Sequence, residues 1–146
     1  MEPRLHPIPP PDRAGEIRRG VCRLLVDHGL APLAEVKLPN GRRADVMAIG
    51  RNGQVWIVEI KSCRTDFLTD VKWEEYLGYA DRFLFAVDLD FPRAILPEAE
   101  GLILADRFGG EIAREPAVRP LPPARRKAVT LLHARTAAFR LHGLVE

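Results

Sequence analysis

Residues 43–62 read RADVMAIGRNGQVWIVEIKS, and this stretch decides the fold. Two apolar runs, Arg43–Ile49 and Gln54–Ile60, are separated by Gly50-Arg51-Asn52-Gly53, the punctuation of a tight β-hairpin. The second run is apolar on both faces through Val55, Trp56, Ile57, Val58 and Ile60, as a strand at the middle of a sheet requires. Side-chain alternation places Glu59 and Lys61 on the face shared by Val55 and Ile57, where the buried strand runs out into a loop. Ionic groups at the end of so apolar a strand call for a reason.

Whether Asp45 on the preceding strand meets Glu59 depends on the turn. A two-residue Asn52-Gly53 loop pairs Val46 with Glu59, whereas a three-residue Arg51-Asn52-Gly53 loop with Gly53 left-handed pairs Asp45 with Glu59. We adopt the second register. Two carboxylates directly opposite one another repel, so the pair needs a compensating charge. A divalent cation supplies it, and Mg²⁺, which takes oxygen ligands and is commonly held by one or two carboxylates plus a substrate phosphate, matches the demand. Lys61, one pleat beyond Glu59, would neutralise charge on a reacting phosphate or orient the attacking water.

Working outward, Leu33–Leu38 forms a third strand, joined to Arg43–Ile49 by Pro39-Asn40-Gly41, so the three make an antiparallel meander. Before it, Ile17, Val21, Leu24, Leu25 and His28 recur at helical spacing from Asp12, and Gly29 stops the helix. After it, a second helix is expected from a cap at Thr65 or Asp66 to about Asp81, burying Phe67, Leu68, Val71, Tyr76, Leu77 and Ala80. A short strand, Phe83–Val87, a hairpin around Phe108-Gly109-Gly110 and a closing helix, Ala124–Leu141, complete the chain. The order α-β-β-β-α-β with a mixed sheet is an α/β (α+β) architecture with an extra hairpin and a C-terminal helix.

The 146 residues, 47% hydrophobic and 29% charged, suit one globular domain over residues 12–146 behind a Pro-rich tail over residues 1–11. No apolar run approaches a membrane span, and Met1–Pro11 lacks the core of a signal peptide, so no membrane association and a cytoplasmic address are expected. Two cysteines, Cys22 and Cys63, have neither zinc spacing nor scaffold density and fit a reducing compartment. The formal charge of +2 permits a polyanionic partner without requiring one.

Asp45 followed by Glu59-Ile60-Lys61 resembles the PD-(D/E)XK nuclease superfamily, and α-β-β-β-α-β resembles its restriction-endonuclease-like core. The text from Leu38 to Val87 is similar to the MmcB family of bacterial endonucleases: Pro39-Asn40-Gly41-Arg42-Arg43-Ala44-Asp45-Val46, Glu59-Ile60-Lys61-Ser62, Lys72-Trp73-Glu74-Glu75-Tyr76-Leu77 and Ala80-Asp81-Arg82-Phe83. The resemblance implies a DNA-repair role and phosphodiester hydrolysis on DNA. Asp45, Glu59 and the Ile60 carbonyl would hold Mg²⁺, with Mn²⁺ able to substitute, while Lys61 assists an in-line attack by water. Ala44 stands where the motif's name has Pro. Glu16 on the first helix and Lys72 on the second match auxiliary positions that the superfamily often carries. Many nucleases of this fold act as dimers, and repair proteins commonly work with partners; no face here identifies either.

Blander readings stand beside these. A Glu-X-Lys alone says little, since Glu35-Val36-Lys37 repeats it on what reads as a solvated strand edge. Asp45 read alone would partner Arg42, Arg43 or Lys61. Cys63 is a bystander thiol, and the four histidines lack ligand spacing. Trp73, Tyr76 and Tyr79 would stack on bases or pack in the core, and the core reading is preferred for Tyr76. Arg125-Arg126-Lys127 with Arg135 and Arg140 would be a wet helix face or a phosphate track. The alternative function is a nuclease-fold DNA-binding or partner-docking module without efficient turnover; a nuclease acting on RNA is a third.

Overall fold

The computed structural model describes residues 12–70 and 72–146. The expected Pro-rich tail, residues 1–11, and Val71 of the expected second helix lie outside the described residues. Helix α1, Arg13–Asp27, begins where the Asp12 carboxylate accepts the Gly15 N–H and ends before Gly29, whose φ of 76° takes the left-handed turn that glycine tolerates. Ile17, Val21, Leu24 and Leu25 are buried as their spacing predicts. His28, grouped with them in the sequence, is instead the exposed C-cap, its ring nitrogen against the Leu24 carbonyl.

Six strands form one sheet in sequence order: β1 Ala31–Lys37, β2 Arg43–Ile49, β3 Val55–Ile60, β4 Arg82–Val87, β5 Gly101–Asp106 and β6 Gly109–Arg114. Strands β1 to β3 are the antiparallel meander, β3, β4 and β5 are mutually parallel, and β6 returns antiparallel. The mixed sheet and the α-β-β-β-α-β order are therefore as expected. Strand β3 lies inside the sheet and is buried from Val55 through Glu59, which is why its sequence is apolar on both sides.

The two faces carry separate cores. Helix α1 covers Val46, Ala48, Trp56, Val58, Leu84 and Ala86. The opposite face buries Met47, Val55, Ile57, Phe83 and Phe85 beneath Tyr76, Ala80, Leu121 and Val129. Phe83 and Phe85 meet edge to face at 5.1 Å, and Trp73 stacks on Phe83 at 5.8 Å.

The single second helix expected to reach Asp81 is not formed. A six-residue helix α2, Arg64–Thr69, stops at Asp70, and a 3₁₀ segment, Trp73–Tyr79, follows. Asp70 is the reason: its carboxylate takes the Lys61 ammonium at 2.7 Å and the Lys72 N–H at 3.3 Å, and this local bonding competes with a continued helical ladder. Helix α2 starts at Arg64 without a side-chain cap; Asp66, one of the two expected caps, turns back to the Ser62 N–H at 3.0 Å. Leu68 is exposed rather than part of the buried stripe.

The closing helix α3 runs Pro123–Val145, four residues beyond the expected Leu141, with Pro at its start where a missing N–H costs nothing. Asp81, buried, fixes it to the sheet: its carboxylate accepts the Val55 and Leu121 N–H groups at 2.7 and 2.8 Å and both ends of the Arg126 guanidinium at 2.6 Å. No helix among the described residues is long and apolar enough to cross a membrane.

Candidate active site

The turn between β2 and β3 sets the site. The Gly50 N–H donates to Gln54 and Gly53 takes φ 78°, leaving Arg51-Asn52-Gly53 as a three-residue loop. Met47 then pairs with Ile57 and Val46 with Val58, so the next residues in register are Asp45 and Glu59. The ladder changes character there. The Asp45 N–H donates to Glu59 Oε1 at 2.9 Å, and the Ile60 N–H donates to Asp45 Oδ2 at 2.8 Å. Each carboxylate thus bonds the other strand's backbone where a carbonyl would otherwise serve, and the two acids are held beside one another.

Glu59 is 4% exposed. Burial pushes its carboxyl up to about 9, and the neighbouring Asp45 charge adds to the rise. Burial likewise holds Asp45 above the ordinary carboxylate range, against the lowering effect of the Ile60 N–H. Lys61 attracts both acids but does not offset their burial. Its side chain, on a residue 6% exposed, is bound to Asp70, and its own N–H donates to the Ala86 carbonyl at 3.0 Å. Among the described residues the Asp45–Glu59 pair therefore has no bonded cation of its own.

Asp70 also faces Arg42 at 3.6 Å, and Arg42 reaches Glu75 at 3.1 Å while lying over the Tyr76 ring. The Tyr76 hydroxyl donates to the Arg43 carbonyl at 3.0 Å, and burial together with the Glu59 charge raises its pKa. Arg42, Glu75 and Tyr76 wall an open cleft of about 650 Å³ with Asp45, Glu59, Ile60 and Lys61 at its floor and Arg43, Asp66 and Lys72 along its sides.

The structure thus brings Asp45, Glu59, Ile60 and Lys61 together, with Lys72 lining the same cleft. Glu16 does not join them: it lies on α1, which covers the other face of the sheet, and does not line the cleft. Sequence reading missed Asp70 and Arg42, for which the one available signal was that a lysine on a buried strand face needs an acid. Glu35, read as part of a solvated strand edge, is exposed as expected, but its place opposite Asp45 was not foreseen. With Gly41 at φ 86°, β1 pairs Ala34 with Val46 and Val36 with Ala44, which sets Glu35 opposite Asp45 at the exposed sheet edge, itself at φ 52°. Counting back from Gly41 would have found that register.

Of the basic run on α3, Arg125 donates to the Gly78 carbonyl and stacks over Tyr79, and Arg140 donates to the Ala34 and Glu35 carbonyls. With Arg126 on Asp81, these arginines serve the fold.

Among the described residues no three or more His, Cys, Asp and Glu side chains are grouped to hold a metal ion. Two carboxylates and a backbone carbonyl are what this floor offers, a hard oxygen donor set of the kind Mg²⁺ accepts alongside water and phosphate. With Glu59 buried and Asp45 half-buried, negative charge on the pair is poorly solvated, and the donor set fits a hard cation that would offset it.

The family model described as DNA repair protein MmcB-like matches residues 5–146. No curated protein matches the chain. A solved structure described as SPO1766 protein of unknown function from Silicibacter pomeroyi is similar at 40% identity and a TM-score of 0.90, covering 93% of each chain. With a match over nearly its whole length and the same fold in a 40% identical relative, the chain belongs to the MmcB-like family of DNA repair proteins.

Proposed function

We propose that the protein is a metal-dependent deoxyribonuclease acting in DNA repair, with Asp45, Glu59 and Lys61 as its catalytic residues. The observation that carries this reading is the Asp45–Glu59 pair: two carboxylates, one of them pushed up to about 9, fastened side by side on the floor of an open cleft with no bonded cation among the described residues. Acids fixed in this way are costly unless something charged is meant to sit among them. Asp45, Glu59 and the Ile60 carbonyl would hold Mg²⁺ or Mn²⁺, which would supply Lewis acidity toward a phosphoryl oxygen and lower the pKa of water there.

The chain's own residues do the rest. Arg43 and Lys72 on the cleft wall bind the phosphates flanking the scissile bond. Lys61, held by Asp70 at 2.7 Å, donates to a non-bridging phosphoryl oxygen as negative charge grows in the transition state and so acts as a charge stabiliser. Asp70 and Arg42 hold Lys61 at that position and are positioning residues. Incubating end-labelled single-stranded, duplex, nicked and branched DNA with the protein and Mg²⁺ or Mn²⁺ tests the reading. Cleavage by the wild type that is lost in Asp45→Ala, Glu59→Ala and Lys61→Ala supports it, and cleavage retained by Asp45→Ala overturns it.

A second reading, a DNA-binding module of nuclease fold without turnover, is favoured by one observation. Each acid already satisfies a backbone N–H of the other strand, as a purely structural pair would. It predicts salt-sensitive DNA retention with no cutting of any of those substrates.

A further inference from the structure

The turn between β5 and β6 presents an aromatic ring where turn chemistry favours small polar residues. Arg107 and Phe108 form the two-residue loop between the paired Asp106 and Gly109, and the Phe108 side chain stands out with the residue 68% exposed. The tip is rigid. Asp106 Oδ1 accepts the Phe108 and Gly109 N–H groups at 2.8 and 3.2 Å, and Arg23 on α1 donates to the Phe108 carbonyl at 3.4 Å. Gly20 lets α1 lie directly on the turn, since a Cβ there would collide with the Asp106 and Gly109 carbonyls. A ring held out on a fixed turn is pre-organised for contact with something planar.

Its surroundings say what kind of contact. Arg107 lies over the Phe108 ring at 4.7 Å, and Arg19, Cys22 and Arg23 complete a shallow concavity of about 570 Å³ beside it. Arg19, Arg23 and Arg107 are exposed, and none forms a salt bridge among the described residues. No carboxylate lines this concavity: Asp106 is turned into its own turn, and Phe108 also borders two neighbouring hollows, one with Arg23 and Asp27, the other with Asp88, Asp90 and Glu111. A concavity lined by three guanidinium groups and one exposed ring, with the acids confined to the hollows beside it, matches a phosphate chain that carries unpaired, stackable bases.

The tip stands at the same end of the sheet as the cleft, while α1 and its arginines cover the opposite face. Because β3, β4 and β5 are parallel, the end of β3 that carries Glu59 and the end of β5 that carries the turn lie at the same end of the sheet, where open α/β sheets bind their ligands. Glu59 is level with Phe85, and Phe85 with Leu102, so Asp106 sits two strands over and four residues further on. At about 3.3 Å per residue and about 4.8 Å per strand, that is a Cα separation of roughly 16 Å, a few nucleotides of extended chain.

We propose that Phe108 with Arg19, Arg23 and Arg107 forms a second contact site that takes single-stranded DNA, one base stacking on the ring and its flanking phosphates lying along α1. The proposal shares with the nuclease reading only that the ligand is DNA, and it makes no claim about cleavage. Its test is therefore run in EDTA: fluorescence anisotropy of a labelled 12-nucleotide single strand, with the matching duplex and the RNA of the same sequence as parallel arms, across a salt series.

Phe108→Ala and Phe108→Leu are each expected to bind the DNA single strand roughly tenfold more weakly than wild type, a loss within the range for one stacked base. Phe108→Trp should keep the affinity and show tryptophan emission quenched by the oligonucleotide. Replacing Arg19, Arg23 and Arg107 together by Ala should flatten the salt dependence by about two phosphate contacts. Far-ultraviolet circular dichroism and thermal melts of each variant establish that the fold is kept. Wild-type affinity in Phe108→Ala overturns the proposal. So does wild-type affinity in Phe108→Leu, which would mean apolar contact rather than stacking, and so does a Phe108-dependent preference for the duplex or for RNA.

Discussion

Lys61 gives its ammonium to Asp70, 2.7 Å away, and not to either acid of the strand pair beside it. Both partners are largely buried, so removing one leaves a charge without a counter-ion in a poorly solvated place. Asp70→Ala should lower stability by about 3 kcal/mol, read by urea denaturation. Lys61→Met combined with Asp70→Leu should recover most of that loss while remaining inactive. A single Asp70→Ala variant as stable as wild type would show the pair to be dispensable for the fold.

The acid pair makes stability depend on pH in an unusual direction. Glu59 rises in the folded state from an ordinary 4.5 to about 9. A raised carboxyl favours the fold while protonated, so its contribution is complete below pH 4.5 and is lost as pH climbs through about 9. Metal-free wild type should therefore weaken between pH 5 and 9 relative to Glu59→Gln, which keeps the acceptor for the Asp45 N–H and carries no charge. A difference of roughly 2 kcal/mol or more at pH 8.5 is expected from chemical denaturation. Added Mg²⁺ should stabilise wild type and leave Glu59→Gln nearly unmoved. Parallel pH profiles for the two proteins would contradict the account.

Asp81 has the opposite sign. Burial works to raise its carboxyl, but the Arg126 guanidinium and the Val55 and Leu121 N–H groups outweigh it and hold it below the ordinary range. Its contribution is present above the ordinary carboxylate pKa and is lost as acid carries the pH down through the lowered value. Asp81→Ala strands two buried N–H donors and Arg126, and should cost about 3–5 kcal/mol by denaturant titration. The affinity of the cleft for Mn²⁺, followed by electron paramagnetic resonance, should be unchanged in whatever fraction remains folded.

Gly20 is a packing prediction. A side chain there meets two backbone carbonyls of the β5–β6 turn rather than the yielding end of another side chain. Gly20→Val should destabilise the protein by about 2 kcal/mol or more, read by thermal melt, and loosen the turn that carries Phe108.

How far residues alone reveal such a molecule depends on whether the deciding force is local. Gly53 in a three-residue turn fixes the β2–β3 register, so the meeting of Asp45 with Glu59 could be read from the sequence, as could a β3 buried on both faces. Asp70 could not be read the same way. Its break of the second helix comes from a lysine nine residues earlier that is near it only once β3 is in the sheet. Arg125, Arg126 and Arg140 read as a wet helix face or a phosphate track, yet tertiary partners at Gly78, Asp81 and Ala34 engage them. The exposed Phe108 was visible only as a turn residue, because neither its exposure nor the arginines around it follow from periodicity.

The central claim is that a hard divalent cation belongs between Asp45 and Glu59. A crystal soaked in Mn²⁺ and measured for anomalous scattering tests it most directly. The account predicts one peak between the carboxylates of Asp45 and Glu59 beside the Ile60 carbonyl, absent in Asp45→Asn crystals. An empty floor at saturating Mn²⁺, or a peak only elsewhere on the protein, would contradict it.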